Sequence, residues 1–199
     1  MYVMTVDQRG SRTDIDRVDE LLTHVADADV VRPFERTAGD EVQAVLADPS
    51  AVTALVVDLV ADGHWSVGVG TGAVTLPLPA STRAGRGPAF EFAREAVDAA
   101  KLQRIPLAVR GPSVRWCTHV QTAARLLADV VGRRSTAGSA AVALVRAGLT
   151  QVEAAERLGI TPQAMSQRLR AAGWDIETDA RSLIEDLLAE ADRDAGAAR

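Results

Sequence analysis

Residues 150–173, TQVEAAERLGITPQAMSQRLRAAG, hold the side chains whose types and spacing suit recognition chemistry. Gln163, Ser166, Gln167 and Arg170 follow i, i+3, i+4, i+7 spacing, so a helix puts all four on one face. All four form hydrogen bonds, as a helix lying in a major groove needs: arginine forks onto guanine and glutamine onto adenine. Arg168 beside them suits a phosphate oxygen. Thr161 is placed to cap the helix and Pro162 to open it, where a missing N–H costs nothing. Thr161, Gln163, Ser166, Gln167, Arg168 and Arg170 therefore form a candidate set for double-stranded DNA. A preceding helix over 151–158, a glycine turn at Gly159 and an apolar plug at Ile160 complete a helix-turn-helix pattern. Ala155 is small where the two helices must cross, and Leu158, Met165 and Leu169 face inward with it. The plainer alternative is a helical hairpin on the surface of a larger fold.

A second candidate chemistry comes from carboxylates. Asp7 ends the first strand-like run, and Asp40 lies in Ala38-Gly39-Asp40-Glu41, a hairpin signal. In a βαββ sheet the first strand pairs beside that hairpin, which brings the two carboxylates together as a candidate Mg²⁺ site that would in turn hold phosphates. Ser11 and the amides around Gly10 suit a phosphate at the start of the first helix. The alternative for Asp40 is a turn former, and for Asp7 a surface residue.

These residues need elements to position them. Residues 1–8 read as a strand, 14–25 as a helix, 31–47 as two strands, and 50–62 as a helix. Residues 64–78 read as a strand pair or one long bent strand, 88–102 as a helix and 105–110 as a last strand. From 118 onward the pattern is helical, with helices at 118–132, 136–147, 151–158, 162–172 and 178–193. The order β-α-β-β-α-β-α-β predicts an α+β domain over 1–132, its antiparallel-containing sheet covered by helices. An all-α unit over 133–199 follows, with Arg133-Arg134-Ser135-Thr136 as the joint. The glycines at 68, 70 and 72 lack the spacing and strand-to-helix setting of a dinucleotide fingerprint. On alternate strand positions they let a backbone or a ligand approach one face. Leu183, Ile184, Leu187, Leu188 and Ala191 form an apolar stripe that either closes the helical core or makes a dimer seam.

Charge supports this division. The chain carries −5 overall, yet residues 133–174 hold six arginines against Glu153 and Glu156, which is +4. Residues 1–132 hold 13 basic against 17 acidic side chains, or −4, and residues 175–199 three against eight, or −5. The positive segment coincides with the helix-turn-helix pattern, as an electrostatic footprint on DNA requires. The lone Cys117 has no disulfide partner and reads as a packed thiol, MYVMTVDQRG lacks the form of a secretory signal, and no apolar run is long enough to span a membrane. A cytoplasmic location is the expectation. His24, His64 and His119 are scattered and read as no ligand set. Trp65, Trp116 and Trp174 read as core or interface.

VDQRGSR (6–12), TAGDEVQAVL (37–46), WSVGVGTG (65–72) and GPAFEFAREA (87–96) occur in an order that resembles the SatD-like family over nearly the whole chain. That family looks like a class III nucleotidyl cyclase palm fused to a C-terminal helix-turn-helix. The resemblance implies a ferredoxin-like, cyclase-like βαββαβ palm, with Asp7 and Asp40 as metal-binding aspartates and Mg²⁺ with a purine nucleotide as ligand. It matches Arg94 to the arginine of the cyclase Asn-x-x-x-Arg pair. Phe90 stands at the asparagine position and cannot orient a ribose hydroxyl, so slow or absent cyclisation is expected. The sole lysine, Lys101, lies at the far end of that helix, with no lysine placed to read a purine. Palm pairing, together with the few base pairs one recognition helix reads, implies a homodimer. Three functions compete. The first is a transcription regulator with a degenerate sensor or dimerisation domain. The second is an active nucleotidyl cyclase or nucleotide-binding enzyme with an accessory helical domain. The third is an interaction protein with a purely structural palm.

Overall fold

A computed structural model describes residues 1–197. The first part builds one five-stranded mixed sheet from β1 (Tyr2–Gln8), β2 (Arg32–Arg36), β3 (Glu41–Leu46), β4 (Trp65–Thr71) and β5 (Leu107–Arg110). The helices are α1 (Val18–His24), α2 (Pro49–Asp62), α3 (Pro88–Lys101), α4 (Val114–Gly132), α5 (Thr136–Arg146), α6 (Gln151–Leu158), α7 (Pro162–Ala171) and α8 (Trp174–Ala197). The strand order is β2-β3-β1-β4-β5. Central β1 runs antiparallel to β3 and β4, and β5 joins β4 in parallel because α3 carries the chain back across the sheet.

The two-residue period of the strands sorts the side chains. Tyr2, Met4 and Val6 of β1 join Val42, Ala44 and Leu46 of β3 and Val67 and Val69 of β4 in the main core, beneath α2 and α4. On the opposite face α3 lies directly on β4. A Cβ added to Gly68 would fall on the backbone of Ala93 and Val97, and one on Gly70 on that of Ala89 and Ala93. The alternate glycines therefore admit a helix backbone, and α3 answers with Ala89, Ala93, Ala96 and Ala100, all fully buried.

Besides α4, which begins at Val114 rather than at residue 118, three boundaries differ from the sequence reading. The first helix begins at Val18, not near residue 14, because Asp14 and Asp16 turn their carboxylates onto the backbone N–H groups of Ile15 and Val18. Within residues 64–78 only Trp65–Thr71 form a strand, β4. Gly72 then takes φ 133°, and the Pro-containing segment beyond it crosses the sheet edge, where Arg32 donates to the carbonyls of Leu78 and Pro79. The third difference is α8, which starts at Trp174 and returns to the sheet domain. Ile184, Leu188 and Ala191 join the main core, and Tyr2 donates its hydroxyl to the Leu188 carbonyl at 3.0 Å. Leu183 stays 53% exposed. The apolar stripe thus belongs to the α2–α4 layer, while α5, α6 and α7 close a small core of their own from Ala141, Val142, Ala154, Ala155, Met165 and Leu169.

Candidate nucleic-acid interface and sheet-face carboxylates

The α6–α7 hairpin is fixed by local chemistry at each end. Thr150 and Glu153 form a reciprocal capping box at the start of α6. Gly159 ends α6 at φ 65°, a left-handed conformation that a side chain resists. Thr161 accepts from the Ala164 N–H at 3.2 Å, and Pro162 opens α7. Met165 and Leu169 bury the inner face of α7 against Ala154 and Ala155, and Ile160 packs on the same cluster. The outer face is therefore rigidly aimed.

Gln163, Gln167 and Arg170 are exposed on that face, and Thr161 is exposed at its N-terminal end. Ser166 differs: it is half-buried, and its hydroxyl donates to Oε1 of Gln151 on α6 at 2.9 Å. Ser166 ties the two helices together. Arg168, half-buried, sits in the last turn of α7 with Arg170.

A buried ionic joint, invisible in the sequence, fastens this unit to the sheet domain. Glu177 in the first turn of α8 is 1% exposed. It accepts from Arg134 of the α4–α5 linker at 2.7 Å, from Arg146 at the end of α5 at 2.6 Å, and from Arg181 at 2.8 Å. Arg134 also donates to the carbonyl of Ala172 just past α7, and Arg181 to Asp58 on α2. Burial alone would raise the Glu177 carboxyl, but the hydrogen bonds and charges of Arg134 and Arg181 outweigh it and hold the group below its ordinary value. Nothing in a run of acidic and apolar residues marks Glu177 apart from its neighbours.

On the sheet face, Asp7 pairs in register with Glu41, the residue after Asp40, and the Gln8 N–H donates to the Asp40 carbonyl. The two aspartates are thus neighbours at one end of β1 and β3. Lys101, at the last turn of α3, places its ammonium 2.9 Å from Oδ2 of Asp7 and 3.4 Å from Oδ1 of Asp98. Partial burial pushes the Asp7 carboxyl above its ordinary value against the pull of Lys101, and Asp40 adds to the rise. Lys101 is in turn held above its own ordinary value: burial opposes this, but Asp7 and Asp98 prevail. At neutral pH the short contact is an ion pair. Among the described residues no cluster of three or more His, Cys, Asp or Glu is placed to hold a metal ion. With an ammonium already on Asp7, and with no third ligand side chain grouped with the two aspartates in metal-holding geometry among the described residues, these side chains do not fit a resident Mg²⁺.

Ser11 lies in an exposed turn over residues 9–13, seven positions before α1, so no helix N-terminus stands behind it. Arg94 is exposed on α3, and Phe90 one turn earlier is 7% exposed, packed with Val3, Val45 and Ala93 and stacked over Gly85. Cys117 is buried, and burial pushes its thiol up. No described helix is long and apolar enough to cross a membrane. No protein-family model matches the chain, and no curated protein or solved structure is significantly similar to it.

Proposed function

We propose that the protein is a sequence-specific DNA-binding transcriptional regulator, acting as a homodimer. In this reading α6 and α7 are a helix-turn-helix whose α7 enters the major groove of a duplex. The sheet domain is a degenerate nucleotidyl-cyclase-like palm serving as sensor or dimerisation module. The observation that carries the reading is the outer face of α7. Gln163, Gln167 and Arg170 stand exposed in one row on a helix pinned by Met165 and Leu169, within a segment of +4 net charge (six arginines against two glutamates).

The ion pair between Lys101 and Asp7 supports a palm that does no phosphoryl transfer, because the carboxylate that would hold a metal is already neutralised. Phe90 in the core, where an orienting amide would be needed, supports the same reading. The experiment is selection of duplexes from a random pool, followed by affinity measurement on the enriched sequence. Enrichment of a motif with two half-sites is the expected result. An unenriched pool, or an affinity unaltered by the Gln163→Ala/Gln167→Ala/Arg170→Ala triple variant, refutes this use of α7.

A further inference from the structure

The end of the sheet domain nearest the α4–α5 linker holds a cleft of about 200 Å³. Three arginines line it from three separate stretches of chain: Arg9 just after β1, Arg104 just before β5, and Arg133 just after α4. Asp129 is the one carboxylate in the lining. It serves two of the three arginines, with Arg133 Nη2 at 2.6 Å and Arg104 Nη1 at 3.2 Å. Arg9 donates through Nη1 to the Gly63 carbonyl at 3.1 Å. Three guanidiniums against one carboxylate leave +2 in the cleft, within a chain whose net charge is −5.

Composition does not produce such a surplus, and helix capping accounts for only part of it. Arg9 covers the carbonyl end of α2, and Arg133 donates through Nε to the Asp129 carbonyl near the end of α4. Arg104 caps nothing. Among the described residues, Nε and Nη2 of both Arg9 and Arg104 have no hydrogen-bond partner. The Glu177 joint is the opposite case: it is buried, and Arg134 and Arg181 there each hold a second acceptor besides Glu177.

We propose that Arg9, Arg104 and Arg133 form a binding site for a phosphate group. A dianionic phosphoryl group brings the charge of the cleft to zero, and its oxygens accept from the arginine forks in the bidentate manner that guanidinium favours. The cleft is smaller than the roughly 300–1,000 Å³ of drug-sized ligand sites, which suits one phosphoryl group rather than a whole nucleotide. Arg133 directly precedes Arg134, which holds both Ala172 and Glu177. Phosphate at the cleft therefore acts on the linker that orients α5–α7. The group arrives either as a free phosphate compound or as part of a DNA backbone.

The test has two arms, and the first is independent of any role in DNA binding. The full chain is titrated with inorganic phosphate at ionic strength held constant with sodium chloride, and the apparent Kd is read by calorimetry. Saturable binding is expected, weakened about tenfold in Arg104→Ala and unchanged in Arg83→Ala, an exposed arginine that does not line the cleft. Arg104 is 78% exposed, so its truncation leaves the fold intact. In the second arm, the slope of log Kd against log salt for duplex DNA is measured for wild type and Arg104→Ala. A slope shallower by about 1 in the variant, without binding of inorganic phosphate, assigns the phosphate to the DNA backbone. Absence of phosphate binding together with equal slopes overturns the proposal, as does phosphate binding that Arg104→Ala leaves unchanged.

Discussion

Glu177 and Arg134 meet at 2.7 Å with side chains only 2% and 4% exposed. One belongs to the helix that returns to the sheet domain, the other to the linker that leaves it. The pair thus bridges the two units at the point where the chain exits and re-enters. A buried charge pair is a poor source of stability relative to an apolar pair, but removing one partner is costly because the other is left charged in a dry site. Its directional hydrogen bonds fix an orientation of α5–α7 that apolar contacts alone would leave looser, which the proposed reading of DNA by α7 requires.

Glu177→Ala should destabilise the chain by about 3–5 kcal/mol in urea denaturation, because Arg134 loses its only carboxylate partner among the described residues. Glu177→Gln keeps the shape and isolates the charge. The carboxyl is held below the ordinary glutamate value of 4.5, so its charge contributes full stability above that pH. The contribution fades as pH falls from there through the folded-state value. The difference between the melting curves of wild type and Glu177→Gln should be full near pH 7 and shrink as pH falls below 4.5. A constant gap across that range would show that the carboxylate charge is not what the joint uses.

Lys101→Met should change the chemistry of the sheet-face carboxylates. Without the ammonium 2.9 Å away, Asp7 keeps the burial and the Asp40 charge that already raise it. A carboxylate with a raised folded-state value loses stability as pH climbs from its ordinary 3.8 through that value, so in Lys101→Met this loss should become larger and reach a higher pH. Divalent cations should then stabilise the variant at millimolar concentration while leaving wild type unmoved, read as the melting temperature with and without MgCl₂. Equal Mg²⁺ responses in the two proteins would mean that Lys101 does not stand in for a cation.

How far the sequence discloses this fold depends on whether a residue's partner is local. Thr161, Pro162 and Gly159 act on neighbours within four residues, so α6, the turn and α7 are legible from spacing alone. The glycines at 68 and 70 announce a close approach, though not that α3 makes it. The stripe on α8 shows that the helix has an apolar face but not which layer accepts it, and it packs on the core beside Tyr2, 186 residues from Leu188. Lys101 on Asp7 and Glu177 on Arg134 are contacts between distant segments with no periodic signature. The boundary errors at α1 and β4 share one cause. Aspartates and glycine–proline segments satisfy or withhold backbone hydrogen bonds in ways that apolar periodicity does not register.

Thr161→Ala should cost about 1 kcal/mol of stability, since one N–H at the start of α7 loses its acceptor. Thr150→Ala should cost about as much through the capping box of α6. Both are read by urea denaturation of the full chain. Two variants as stable as wild type would show that tertiary packing, and not capping, defines the ends of the hairpin.

The four polar residues on one face of α7 should not behave alike in DNA binding. Ser166 spends its hydroxyl on Gln151, so Ser166→Ala loosens the contact between α6 and α7 without removing a base contact. It should lower affinity for matched and mismatched duplexes by similar factors. Arg170 is exposed with no such tie, and Arg170→Ala should cost about 1–3 kcal/mol on the matched site while relaxing discrimination at one base position. Arg168, half-buried in the last turn, suits a phosphate. Arg168→Ala should weaken all sequences equally and make the salt dependence shallower by about 1. Binding curves for the three variants on a matched and a singly mismatched duplex, at two salt concentrations, separate the roles. Loss of discrimination in Ser166→Ala with discrimination intact in Arg170→Ala would reverse the assignment and place the reading edge of α7 towards α6 rather than away from it.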